Sequence, residues 1–270
     1  MNGFFAYFVA RFKTVMVFKL AAISGFISQV FFALFRIYII LAFSLGNSAS
    51  SPMQIQSTIL YIWIAQIFFA IVPWNVNWED FHVIKSGNVA YEIIRPIDLF
   101  SMFFSKTLSW RLANCIVRGL PVLLVNIIVL PLIGMKNISL FCMGWKNIGG
   151  FIISITLGFV LSSLITVFLY SIALLVLDAS NFIGFFNSIA MLISGTIIPL
   201  SYFPSWLRTI LMVTPFKGVI DTPAMIITGE YDTKQMIMAI IGQLIWCVAL
   251  YVVNRLIIYY STKRLVVQGG

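Results

Sequence analysis

Residues 149–177 read GGFIISITLGFVLSSLITVFLYSIALLVL, a run without a single Asp, Glu, Lys or Arg. The hydrocarbon core of a bilayer is crossed by a helix of about 20 apolar residues, and this run is longer than that. Working outward, comparable runs lie at 20–45, 57–74, 112–133, 182–200 and 235–260. Together these predict an all-α integral membrane protein with six transmembrane helices. Composition agrees. Apolar residues make up 61% of the 270-residue chain and charged residues 9%, against roughly half and a quarter in soluble domains. A soluble chain of this length buries a large core but cannot hide this much apolar surface, so lipid has to be the solvent for most of it.

The net charge is +9, and the basic residues fall mainly between the apolar runs rather than on one polar face, which argues against a nucleic-acid partner. Excess Lys and Arg mark cytoplasmic loops. With the N-terminus inside, Arg11, Lys13, Lys19, Lys85, Arg95, Lys106, Arg111, Arg118, Arg255, Lys263 and Arg264 are cytoplasmic. Only Lys136, Lys146, Arg208, Lys217 and Lys234 are outside, so both termini are expected in the cytoplasm. Residues 1–19 place Phe4, Phe5, Phe8, Val9, Phe12, Val15 and Met16 at helical spacing, interrupted by Arg11, Lys13 and Lys19. This fits an interfacial amphipathic helix; the other reading is an extension of the first span. The loops are too short for a second domain, so the whole chain, 1–270, reads as one transmembrane domain.

Catalytic patterns are missing. There is no phosphate-binding loop. The one histidine, His82, makes a histidine-based metal site or triad improbable. The three cysteines, Cys115, Cys142 and Cys247, have no metal-type spacing and read as free thiols. The chain is therefore expected to be no enzyme and to bind no metal.

Two stretches are not explained by the bilayer. The segment 75–111 carries Glu79-Asp80, Ser86-Gly87, Glu92-Ile93-Ile94-Arg95-Pro96-Ile97-Asp98 and Lys106. Pro96 biases Arg95 out of helical geometry, and Asp98 can cap the helix that follows. The segment thus reads as a short helix, a break and a second helix entering the membrane at 106–118. That shape suits docking on a soluble partner; a plain solvated loop is the alternative. The stretch from Ser194 to Gly229 contains Pro199, Pro204, Trp206, Pro215-Phe216 and Pro223 among many apolar residues. Proline breaks continuous helix, yet the stretch is too apolar for water. Over 201–234 it reads either as a re-entrant pair of short helices or as a loop resting on the headgroups.

Within the spans, Arg36 lies about nine residues, roughly 14 Å, from the outer end of its helix. It is either a contact for substrate or partner, or a side chain that snorkels outward. Gln29, Gln66, Asn126 and Asn187 suit interhelical hydrogen bonds or a path lining. Trp74 and Trp78 suit an interfacial belt, and Asp178 or Ser180 can cap the fifth span.

The ordered combination of an acidic pair, Gly, an apolar pair, Pro and Lys before the third span, and Ser-Gly, Pro-Leu, Pro-x-Trp-Leu, Pro-Phe and Gly before the last, resembles the permease subunits of ATP-binding-cassette exporters of the ABC-2 type. The Glu92–Asp98 motif is similar to a bacterial branch of that family. The resemblance covers nearly the whole chain. It implies a cytoplasmic coupling helix that docks on a separate ATPase, with Glu79, Asp80, Gly87, Glu92, Arg95, Pro96 and Asp98 in the coupling region. It implies an outer gate holding Pro199, Pro204, Trp206, Pro215 and Phe216. Arg36, Gln66, Phe186 and Asn187 become candidates to line the path. The implied partners are an ATPase, as two copies that supply ATP and Mg chemistry, and a second permease chain, different from this one or a copy of it. The implied location is a bacterial plasma membrane. A secondary carrier, or a membrane enzyme or assembly protein, is the competing reading. Carriers place ionisable groups or broken helices near the midplane, and here no acid lies deep in a span.

Overall fold

The computed structural model describes residues 3–46, 52–72, 76–132, 145–176 and 179–263. Every regular element among them is helical. Helix α1 (Gly3–Val17) leads into α2 (Lys19–Gly46), and α3 (Ile55–Ile67) continues as a 3-10 turn at Phe69–Ile71. The short helices α4 (Trp78–Lys85) and α5 (Val89–Ile93) precede a long rod made of α6 (Leu99–Asn114), α7 (Leu120–Leu124) and α8 (Leu130–Leu132). Next come α9 (Trp145–Ala173), α10 (Ser180–Ile193), α11 (Ser205–Val213), α12 (Asp221–Ile227) and α13 (Thr233–Thr262).

Four helices are long and apolar enough to cross a membrane: Lys19–Phe43, Leu99–Ile128, Asn147–Ala173 and Thr233–Lys263. Two shorter apolar helices, α3 and α10, accompany them. The outward faces of the long helices are apolar, with Leu20, Phe31 and Phe43 on α2 and Ile245 and Val248 on α13 all exposed. A surface of that kind is stable only against lipid or protein. The chain is thus a multi-pass membrane protein. Helix α3 is the reverse case, since every residue from Thr58 to Ile67 is buried. It is the central post around which α2, the α6–α8 rod and α12 are packed.

Several boundaries differ from the sequence reading. The expected span 112–133 belongs to a helix that already starts at Leu99, so Lys106, Arg111 and Arg118 sit within one rod. Two π-helical turns, Cys115–Gly119 and Val125–Val129, interrupt that rod, each just before a proline, Pro121 or Pro131. A proline ring clashes with the carbonyl four residues back and supplies no N–H; a local widening of the helix relieves both defects. The expected span 182–200 is helical only to Ile193, because Gly195 takes φ +78° and ends the helix. The 14 residues of α10 are fewer than a straight crossing needs. Ala179, not Ser180, holds the capping position of α10; Asp178 lies outside the described residues, as do Trp74 and Cys142.

Candidate functional site

The segment from Asn77 to Asp98 is built on local hydrogen bonds. The Asn77 side chain accepts the Glu79 N–H at 3.2 Å and so caps α4. Glu79 and Asp80 in that first turn complement the positive end of the helix dipole. Gly87, at φ +76°, turns the chain from α4 into α5. Asp98 caps α6 as the sequence predicts, accepting from Ser101 N–H at 3.0 Å and Ser101 Oγ at 2.8 Å.

The charges of this segment point into the protein. Arg11 of α1 donates to Glu79 Oε2 at 2.9 Å. Lys106 Nζ donates to Asp80 Oδ1 at 3.0 Å, and Asp80 is buried, with Asn77 Nδ2 on its other oxygen at 2.8 Å. Tyr7 Oη donates to Glu92 Oε2 at 3.1 Å and accepts from Arg95 Nη1 at 2.6 Å. That Tyr7 hydroxyl, followed by Glu92, holds the exposed Arg95 guanidinium above its ordinary pKa. Arg255 of α13 reaches Asp98 Oδ2 at 2.6 Å. The segment is therefore tied to α1, α6 and α13, and α1 is itself held on α6 by Ser105 and Ser109, whose hydroxyls donate to Phe4 and Phe8 carbonyls at 2.7 and 2.6 Å. Facing away are Gly87, Pro96 and, unforeseen from the sequence, Tyr91 at 71% and Ile94 at 82% exposure. The missed signal was a large aliphatic next to an arginine in a segment otherwise rich in charge.

The second region, from Ser194 to Gly229, is organised from within. Tyr61 Oη of α3 lies 2.9 Å from both the Gly195 carbonyl and Asp221 Oδ1. The Leu200 N–H donates to the same Asp221 oxygen at 3.2 Å. Burial raises the Asp221 carboxyl above its usual range, and the Tyr61 and Leu200 hydrogen bonds oppose that shift. Arg36 Nη1 donates to the Thr196 carbonyl at 2.7 Å, just beyond the broken end of α10. Helix α12 is buried along its whole length. Pro199 is buried, Pro204 and Trp206 are exposed, and Pro215 opens a 3-10 turn ending at Gly218. Phe216 packs on Phe186 with ring centroids 5.5 Å apart, which brings one candidate gate residue against one candidate path residue. Arg36, Gln66, Phe186 and Asn187 share no hydrogen bond or ring contact with one another among the described residues. Gln66 is buried, and its Nε2, like Asn187 Oδ1, has no hydrogen-bond partner among the described residues.

The sequence reading counts Arg111 among the cytoplasmic charges of a loop, whereas the structure makes it an interior group of the α6–α8 rod. Its side chain is fully buried. Nε donates to Ser162 Oγ at 2.8 Å and to the Ile71 carbonyl at 3.2 Å, and Nη2 donates to Thr166 Oγ1 at 2.6 Å. Ser162 Oγ also donates to the Ile71 carbonyl. The guanidinium thus satisfies the open carbonyl end of the α3 post from α6 and α9. Among the described residues no three His, Cys, Asp or Glu side chains converge.

These observations define a class: a helical, multi-pass membrane protein with two distinctive broken-helix regions. Residues 30–269 match the family described as ABC-2 family transporter protein, and the chain belongs to that family. It is thereby a membrane component of a transporter, and members of this family sit in the bilayer and work with an ATPase subunit. A comparison with curated proteins gave no match.

Proposed function

We propose that this chain is the permease subunit of an ATP-driven exporter in a bacterial plasma membrane. In this reading α2, α3, the α6–α8 rod, α9, α10 and α13 make six crossings, with α1 at the cytoplasmic interface and both termini inside. The Glu92–Asp98 motif, similar to that of a bacterial branch of the family, supports membership of that branch. A pair of ATPase subunits supplies ATP and Mg chemistry, and a second, unlike permease chain completes the path. Glu79, Asp80, Gly87, Glu92, Arg95, Pro96 and Asp98 belong to the coupling segment. Pro199, Pro204, Trp206, Pro215 and Phe216 belong to an outer re-entrant gate.

The observation that supports this reading most is the division of labour in the 78–98 segment. Its ionic groups are spent on α1, α6 and α13, while Tyr91 and Ile94 are left outward. A rigidly held segment with an apolar tip is suited to transmit movement from a docked partner into several helices at once. Large buried side chains carry most of the energy of such contacts. The test is affinity purification of the tagged chain from native membranes. An ABC ATPase and a second permease chain are expected with the wild type, and the ATPase alone is expected to be lost from a Tyr91→Asp, Ile94→Asp variant. Purification of the wild type without any ATPase would overturn the proposal.

A further inference from the structure

Beside the first half of α13, the end of α11, the 3-10 turn at Pro215–Gly218 and α12 enclose a cavity of about 510 Å³, a size in the range of ligand sites. Its wall is divided by chemistry. Along α11 and α13 it is apolar, with Val213, Met238, Ile245 and Trp246. The Trp246 indole N–H is consumed by the Val213 carbonyl at 3.0 Å, which ties α11 to α13. Gln243, also in the wall, is consumed as well, donating to the Ser154 and Gly218 carbonyls at 3.0 and 2.7 Å and accepting from Ser154 Oγ at 2.9 Å.

What stays unmet is at the other end. Lys217 Nζ lies 5.5 Å from the centroid of the Tyr231 ring and 2.8 Å from Met212 Sδ, and it forms no ion pair with an acid among the described residues. The charges that act on it are Asp221, already hydrogen-bonded to Tyr61 and Leu200, and Arg208, of like sign. The buried Tyr231 hydroxyl has no hydrogen-bond partner among the described residues. A half-buried ammonium and an orphaned hydroxyl beside an apolar wall are costly when left alone.

A free anion would meet the ammonium and leave the apolar wall bare. A neutral lipid would cover the wall and leave the ammonium uncompensated. We infer that this cavity binds an anionic phospholipid, its phosphate at Lys217 beside the Tyr231 ring and an acyl chain along Met238, Ile245 and Trp246. In the proposed topology the cavity opens toward the outer leaflet, and the inference is independent of which substrate the transporter moves.

The test uses the purified full complex in nanodiscs of equal phosphatidylglycerol and phosphatidylcholine, transferred to mild detergent and weighed by native mass spectrometry. The wild type is expected to retain phosphatidylglycerol in preference to phosphatidylcholine. Lys217→Gln is expected to lower that retention about tenfold, the usual weight of one charge-assisted contact. Lys234→Gln, an exposed lysine at the start of α13, is expected to leave it unchanged. Trp246→Phe is expected to weaken retention without altering the preference for the anionic headgroup. Equal retention by Lys217→Gln, or equal retention of phosphatidylcholine, overturns the inference. Displacement of the lipid by millimolar inorganic phosphate would make this a site for a free anion and also overturns it. So does a wild type that retains no lipid, the result expected if a second permease chain covers the cavity.

Discussion

The segments 78–98 and 194–229 are built from the same parts, short helices punctuated by Gly and Pro, yet they solve opposite problems. Apart from the covered Asp80–Lys106 pair, the first turns its charges onto neighbouring helices with Glu79, Asp98 and Arg95 substantially exposed in their pairs. Such pairs are each worth about 0–1 kcal/mol and are screened by salt. The second buries one acid, Asp221, and every other residue of α12, and links Asp221 to Tyr61 and Leu200 through hydrogen bonds closed to water. Groups of that kind cost far more to break than they contribute when intact. One segment is therefore held largely by contacts that can be exchanged at low cost, and the other is held all or none.

The largest effect is expected from Asp221→Ala, which strands the buried Leu200 N–H and leaves the Tyr61 hydroxyl with the Gly195 carbonyl alone. It should cost about 2–4 kcal/mol, read as a lowered melting temperature of the detergent-solubilised protein, while Asp221→Asn costs less because an acceptor remains. A melting temperature unchanged in Asp221→Ala would break the comparison. Next in size is Ile94→Asp, which removes the apolar tip. Transport should fall at least about tenfold, the signature of a lost hot spot, with the melting temperature unmoved; a matching loss of stability would mean that Ile94 is a packing residue.

Smaller still in stability terms are Glu92→Lys and Asp98→Lys. Asp98→Lys removes a surface pair worth less than about 1 kcal/mol, and Glu92→Lys removes a half-covered one together with the Tyr7 hydrogen bond, but each should uncouple ATP hydrolysis from transport. If transport and stimulated hydrolysis both survive, the coupling assignment fails. The smallest perturbation is Ser201→Cys, expected to leave transport intact and to react with an impermeant thiol reagent added outside. Labelling only from the cytoplasm would invert the topology that assigns the two segments to opposite faces.

Apolar runs, helix breaks and the Asp98 cap were legible in the sequence because each depends on near neighbours. Direction was not. In a membrane protein both lipid and protein interior are apolar, so periodicity does not tell which face of a helix is covered. Helix α3, a run like the others in sequence, is buried on all sides, whereas α2 is largely exposed. Arg111 shows the same limit for charge. Counted as a cytoplasmic residue, it is bound to Ser162 and Thr166, whose spacing of one helical turn on α9 was the available signal. Glu92 and Asp80 were readable as members of a special segment, but not their partners Tyr7 and Lys106, which lie far along the chain or on another element.

The π turns of the rod carry a further consequence. A residue inserted into a regular α-helix turns everything after it by about 100°. A π turn carries one residue more than an α turn and takes that rotation up within itself. Cys115–Gly119 thus acts like a slack link in a chain drive: losing one residue there should leave the faces of α7 and α8 where they are, whereas losing one from α6 should swing them round.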